Sequence, residues 1–216
     1  MIQLQQAGAI VDADDVRRLQ SAFEANHCAV LPQLLDRGLL KFIQGRVERQ
    51  PWIRRTEEGI AAEDVLDDEL CLSLLHFAAN TPRFLEAVGH IGGSADLSLF
   101  RGRVYRFIPD SAHHDSWHDD VGDNMDRRLI GMSINLGSRA YAGGAFQLRD
   151  FISKRMHAEV ANTGWGDATL FRISLQLEHR VTAVTGSEPR MAFAGWFRAG
   201  AEDFYSSLRR AAASNP

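Results

Sequence analysis

The chain has 216 residues, 45% of them apolar, and a formal net charge of −4. That length fits one domain with a sizeable core. The lack of a basic bias argues against nucleic acid as a partner, because phosphate binding needs a dense Lys/Arg surface.

The opening stretch MIQLQQAGAIVDADD lacks the basic and apolar regions of a signal peptide. No apolar run is long enough to span a bilayer, so no membrane contact is expected. Cys28 and Cys71 are too few for a disulfide framework and read as buried free thiols. A cytoplasmic location is the matching expectation.

The patterning is helical up to about Asp96. Asp14 or Asp15 is placed to cap a helix through VRRLQSAFEANH, with Val16, Leu19 and Phe23 on one face. A strand-like CAVLPQLL follows, with Pro32 as an alternative opening of the next helix. LLDRGLLKFIQGRVERQ is amphipathic and stops at Pro51. EDVLDDELCLSLLHFAANTPRFLEAVGHI reads as one or two further helices, broken at Thr81-Pro82.

After Asp96 the segments shorten. SLFRGRVYRFIP, RLIGMSINL, GAFQLRDF, MHAEVAN, ATLFRI, HRVTAVT and RMAFAGWFR are rich in β-branched and aromatic residues and are separated by turn formers. That spacing predicts a sandwich or barrel. The expected organisation is a single domain of mainly β structure with flanking helices (α+β). It comprises a helical support region over 1–95, a β core over 96–200, and a C-terminal helix and tail over 201–216.

The string HHDSWHDDVGD contains His118-x-Asp120. On an extended strand, positions i and i+2 face the same side, so both side chains can reach one ion. His179 opens the strand-like HRVTAVT about sixty residues later. Two His and one carboxylate form the facial triad of non-haem Fe(II) oxygenases, with open positions for a 2-oxoacid and O2. Arg190 lies beyond a turn at 186–189, which predicts that its strand is the antiparallel neighbour of the strand bearing His179. Its planar fork suits the far carboxylate of a five-carbon diacid.

The region from about Phe100 to Arg198 resembles the prolyl-4-hydroxylase-like branch of the Fe(II)/2-oxoglutarate oxygenases. The resemblance rests on Tyr105, His118-x-Asp120, INLGSRAYAGGAFQLR, GDATLF, and His179 to Arg190 followed by Trp196. It implies a double-stranded β-helix, or jelly roll, braced by helices. It implies iron held by His118, Asp120 and His179, and a co-substrate carboxylate held by Arg190. Tyr105 is implied as a hydrogen-bond partner of the co-substrate, with Asn135 as a further polar contact. Trp196 is expected either to line the co-substrate pocket or to pack in the core. The implied cofactors are Fe(II), 2-oxoglutarate and O2, with ascorbate as an accessory reductant. The implied activity is hydroxylation of a small molecule, amino acid or peptide, with release of succinate and CO2. An acid at position 120, where related halogenases carry a small residue, favours hydroxylation over halogenation.

Two other functions compete: a zinc-dependent hydrolase using the same three ligands, and a non-catalytic jelly-roll binding module. A second H-x-D, His113-x-Asp115, follows a Pro-Asp-Ser turn and reads as a loop at the cavity mouth. Asp115 is an odd number of residues from His118 and is expected to face away from it. Trp117 is expected in the core, Gly143 and Gly144 at a turn or close strand approach, and the acidic stretch 119–126 as a solvated rim.

Overall fold

The computed structural model describes residues 1–58, 60–122, 127–161, 163–200 and 203–206. A hairpin of β1 (Ile2–Gln5) and β2 (Gly8–Val11) leads into α1 (Ala13–Asn26). Asp12, not Asp14 or Asp15, is the N-cap: its carboxylate accepts from the amides of both. Those two acids occupy the first turn, where they face the positive end of the helix dipole. Leu19 and Phe23 are buried, and Val16 packs beside them.

β3 (Cys28–Leu31) is followed by α2 (Arg37–Val47), which Asp36 caps. Pro32 therefore ends a strand and does not open the helix. α3 (Glu69–Ala79) is capped by Asp68, and α4 (Pro82–Gly92) starts on its proline and ends at left-handed Gly93. Asp68 also takes two hydrogen bonds from Arg46, at 2.6 and 3.0 Å, which tie α2 to the head of α3.

The β elements follow the expected segments closely after Asp96. They are β6 (Leu97–Phe107), β7 (His114–Asp115), β8 (Arg128–Asn135), β9 (Ala142–Gly143), β10 (Phe146–Asp150), β11 (Met156–Val160), β12 (Ala168–Arg172), β13 (Leu177–Val181), β14 (Val184–Thr185) and β15 (Arg190–Ala199). The first 95 residues also supply strands to the main sheet. β4 (Trp52–Glu57) and β5 (Ala61–Leu66) form a hairpin, and β5 pairs with β6 through Asp64↔Arg106 and Val65↔Tyr105. EDVL was expected to be helical, but it is strand because an open sheet edge takes it up. Tertiary pairing overrides weak local propensity here.

The large sheet runs β3-β12-β8-β15-β6-β5-β4, with β7 also on β5; the small sheet runs β11-β10-β13. The fold is a double-stranded β-helix braced by helices. One large apolar cluster joins α1–α4 to the outer face of the large sheet, with Phe23, Phe84, Phe100 and Phe197 fully buried. Two smaller clusters lie between the sheets. One is built on Phe146, Leu148 and Phe171, the other on Tyr105, Phe107 and Val181. Of the expected C-terminal helix, only 203–206 falls within the described residues.

Gly102 and Gly195 face each other across β6 and β15. A Cβ on Gly195 would lie 2.0 Å from the Arg101 carbonyl oxygen and 2.3 Å from Gly102 Cα. The two glycines allow this close backbone approach at the centre of the large sheet.

Candidate active site

The segment carrying His118 lies alongside β13. His118 N–H donates to the His179 carbonyl at 3.1 Å, and His179 N–H donates back at 2.8 Å. This reciprocal pairing brings the two imidazoles side by side, with centroids 4.3 Å apart and planes tilted by 53°. The chain does not continue as a strand to Asp120, as the i, i+2 argument assumed. Asp120 has φ +57°, a left-handed conformation that non-glycine residues rarely adopt. The turn swings its carboxylate back between the two rings. Oδ1 lies 3.5 Å from His118 Nε2 and Oδ2 lies 3.2 Å from His179 Nε2. One ligand atom from each residue falls within 4.8 Å of the others.

The donor set suits a divalent metal with vacant positions: two imidazoles, one carboxylate, and no thiolate among them. His118 Nδ1 donates to the Ser116 carbonyl at 2.7 Å, which fixes the ring with Nε2 turned toward Asp120. The surroundings attract positive charge. Burial works against a charged His118, yet its hydrogen bond to Asp120 and the nearby Asp115 carboxylate push it up to about 9. Burial likewise acts to raise the Asp120 carboxyl, but hydrogen bonds from both imidazoles hold it below the usual carboxylate range.

Asp120 has a further partner 76 residues away. The Trp196 indole N–H donates to its Oδ2 at 2.6 Å. The Arg128 guanidinium stacks on the other part of this arrangement, 4.1 Å from the Trp196 ring. Trp196 therefore lines the cavity and orients the carboxylate.

Asp115 does not face away from His118. Its Oδ1 lies 3.5 Å from His118 Nδ1, and its Oδ2 accepts from Val181 N–H at 2.7 Å. The expected strand parity fails because β7 ends at Asp115 and the chain bends before His118. His113, by contrast, is turned out of the site: Nδ1 accepts from Ile108 N–H at 2.8 Å and Nε2 meets Asp64 at 3.1 Å. Trp117 is not a core residue. It lies between Arg149 and Arg180, whose guanidinium carbons are 3.7 and 4.6 Å from its ring.

The triad opens into a cavity of about 300 Å³ between the sheets, which Arg190, Tyr105 and Ser133 also line. Arg190 is only 6% exposed. It donates to the Tyr105 hydroxyl at 2.8 Å and to Ser133 Oγ at 3.1 Å, and no carboxylate among the described residues pairs with it. A buried guanidinium without an anion is costly, so this end of the cavity is built for one. β13 and β15 belong to different sheets, so Arg190 is not the strand neighbour of His179. The chain crosses the sandwich between them, and the two residues face each other across the interior. Gly144 helps admit the Arg190 stem: a Cβ there would approach Arg190 Cδ to 2.9 Å.

Asn135 does not line this cavity. Its amide donates to the Thr163 carbonyl at 2.7 Å and accepts from Gly137 N–H at 2.9 Å, which occupies both ends in loop anchoring. Ser133, two residues earlier on β8, takes the polar role expected of it. Sequence reasoning missed Ser133, although a hydroxyl within the apolar run LIGMSIN was the available signal.

Residues 103–198 match the family model described as the 2OG-Fe(II) oxygenase superfamily. Among curated proteins no relative matches this chain. Several solved structures share the fold. A prolyl-4-hydroxylase from Pseudomonas putida superposes with TM-score 0.65 at 16% identity, covering 86% of this chain and 99% of that one. A prolyl hydroxylase from Trichoplax adhaerens, in complex with a hypoxia inducible factor peptide fragment, gives 0.62 at 12% identity, covering 88% and 94%. The non-heme alpha ketoglutarate dependent epimerase SnoN from nogalamycin biosynthesis gives 0.66 at 16% identity, covering 87% and 84%.

Proposed function

We propose that the chain, whose residues 103–198 match the 2OG-Fe(II) oxygenase superfamily model, is a 2-oxoglutarate-dependent dioxygenase whose Fe(II) is held by His118, Asp120 and His179. Arg190 binds the far carboxylate of 2-oxoglutarate. The reaction is hydroxylation of a small molecule, amino acid or peptide, with succinate and CO2 as the co-substrate's products. The observation that carries this reading is the buried Arg190, which pairs with no carboxylate among the described residues and lines the same cavity as the triad.

Each side chain has a definable task. His118, Asp120 and His179 would hold the ion at the wall of the cavity, with no further protein ligand in their cluster. Bound iron with 2-oxoglutarate and O2 supplies the oxidising chemistry. Tyr105 and Ser133 hold the Arg190 fork in place, so the co-substrate meets a rigid anchor and loses less entropy on binding. Trp196 holds the carboxylate of Asp120 toward the two imidazoles. Phe146 and Phe171 pack near His179, with centroids at 5.9 and 4.5 Å, and exclude water from that side.

No helix among the described residues is long and apolar enough to cross a membrane. Anaerobic titration tests the reading. Fe(II) followed by 2-oxoglutarate should produce a weak visible charge-transfer band in the wild type and none in Asp120→Ala. A wild-type protein that binds Fe(II) but shows no band on adding 2-oxoglutarate would remove the co-substrate assignment. Substrate-stimulated succinate formation, with mass spectrometry for a gain of one oxygen, would then identify what is oxidised.

A further inference from the structure

A second arginine on the cavity wall has no part in the reaction as described. Arg103 sits on β6 two residues before Tyr105, so both side chains project from the same face of that strand. Its Nε donates to Glu63 at 2.5 Å. Glu63 is only 2% exposed and also accepts from Arg55 at 3.1 Å. The Arg103 guanidinium carbon lies 5.5 Å from the Tyr105 ring and 5.9 Å from the Trp196 ring. The group is therefore held on three sides, by a buried carboxylate and two aromatic rings. Its two terminal nitrogens donate to no protein group among the described residues. Both Arg103 and Glu63 line the cavity that holds the triad.

Here the inner edge is fixed and the outer edge, with its two N–H groups side by side, is left for a ligand. That edge matches a carboxylate, which accepts two parallel hydrogen bonds from such a fork. Asp120 also acts on the Arg103 charge, but its carboxylate is taken up by the Trp196 indole and the two imidazoles. Glu63 already serves Arg103 and Arg55, and Glu57 accepts from Arg55 at 3.1 Å. Arg190 is the deeper of the two anchors at 6% exposure, whereas the Arg103 side chain is 27% exposed, nearer the mouth.

We propose that Arg103, oriented by Glu63, is a specificity-determining residue that binds a carboxylate on the substrate to be oxidised. The substrate class is thus an organic acid or an amino acid with a free carboxylate, in place of a neutral or cationic molecule. The inference rests on the assignment of His118, Asp120 and His179 as metal ligands. Glu63 is a positioning residue that acts through Arg103.

The test uses the full chain loaded with Mn(II) and saturating 2-oxoglutarate, which binds without turnover. The probes are benzoate and its uncharged isostere benzamide, and the readout is paramagnetic broadening of their proton resonances. Benzoate should be broadened about tenfold more than benzamide in the wild type, in line with one charge-assisted contact. Arg103→Met should abolish the preference while leaving 2-oxoglutarate affinity unchanged. Direct coordination of benzoate to Mn(II) would not depend on Arg103. The double variant Glu63→Gln/Arg103→Met removes both partners of the buried pair and guards against a folding defect in the single variant. Mn(II) uptake without a benzoate preference, or a preference that survives in both variants, overturns the carboxylate subsite alone. Failure of the wild type to take up Mn(II) overturns the ligand assignment and this inference with it.

Discussion

Arg190→Ala separates the two ends of the cavity. The wild-type guanidinium is 6% exposed and held at 2.8 and 3.1 Å by two hydroxyls, so its fork is preorganised for an anion. Removing one partner of such a buried charge pair costs about 2–5 kcal/mol. That is about thirtyfold to several thousandfold in 2-oxoglutarate affinity. Thermal denaturation of the Mn(II)-loaded protein reads this directly. At a 2-oxoglutarate concentration about a hundred times Kd, binding stabilises the wild type by about 2.7 kcal/mol. For a chain of this size that raises the melting temperature by about 5–10 °C. A variant weakened about a hundredfold gains only about 0.4 kcal/mol at the same concentration, a shift of about 1 °C. Mn(II) affinity without 2-oxoglutarate should stay at the wild-type value, because Arg190 is not among the three clustered ligands. Arg190→Lys should recover part of the shift, since an ammonium keeps the charge but lacks the fork. A full thermal shift in Arg190→Ala would refute the pocket assignment.

Three further outcomes follow from the same geometry. Asp120→Ala should abolish tight metal binding while Asp119→Ala retains it, because only Asp120 reaches both imidazoles; metal analysis of the purified variants decides, and loss in Asp119→Ala instead would reassign the carboxylate. Trp196→Phe keeps a ring beneath Arg128 but deletes the 2.6 Å hydrogen bond to Asp120. Metal affinity should then fall about tenfold, as for other partners that orient a ligand, and an unchanged calorimetric isotherm would show that the indole does not position the carboxylate. Burial pushes the thiols of Cys28 and Cys71 up to about 12. Neither should react with a disulfide reagent at pH 8 until denaturant opens the fold, and rapid labelling of the native protein would contradict the packing.

Much of this was legible in the linear chain because it is written locally. Strands β6, β8, β10, β11, β12 and β15 coincide with short apolar segments bounded by turn residues, since alternation and turn chemistry act over a few positions. The residues His118, Asp120, His179 and Arg190 stood out through type and spacing, and they do meet in one cavity. The sequence also marked Gly143 and Gly144 as backbone positions, and both have positive φ.

What the tertiary structure alone decided concerns residues distant in sequence or bent out of regular geometry. Strand parity correctly put Asp120 beside His118 for the wrong reason, since a left-handed residue at φ +57° does the aiming. The same parity argument failed for Asp115, where the chain bends. EDVL became a strand only because β6 offered an edge, and that pairing brings Glu63 to Arg103 from 40 residues away. Trp196 found Asp120, and Ser133 replaced Asn135, through the packing of strands that share no sequence pattern. A periodic pattern specifies which face of a strand is buried. Which strands become neighbours, and so which polar groups meet in the low-dielectric interior, depends on burying the whole apolar surface at once.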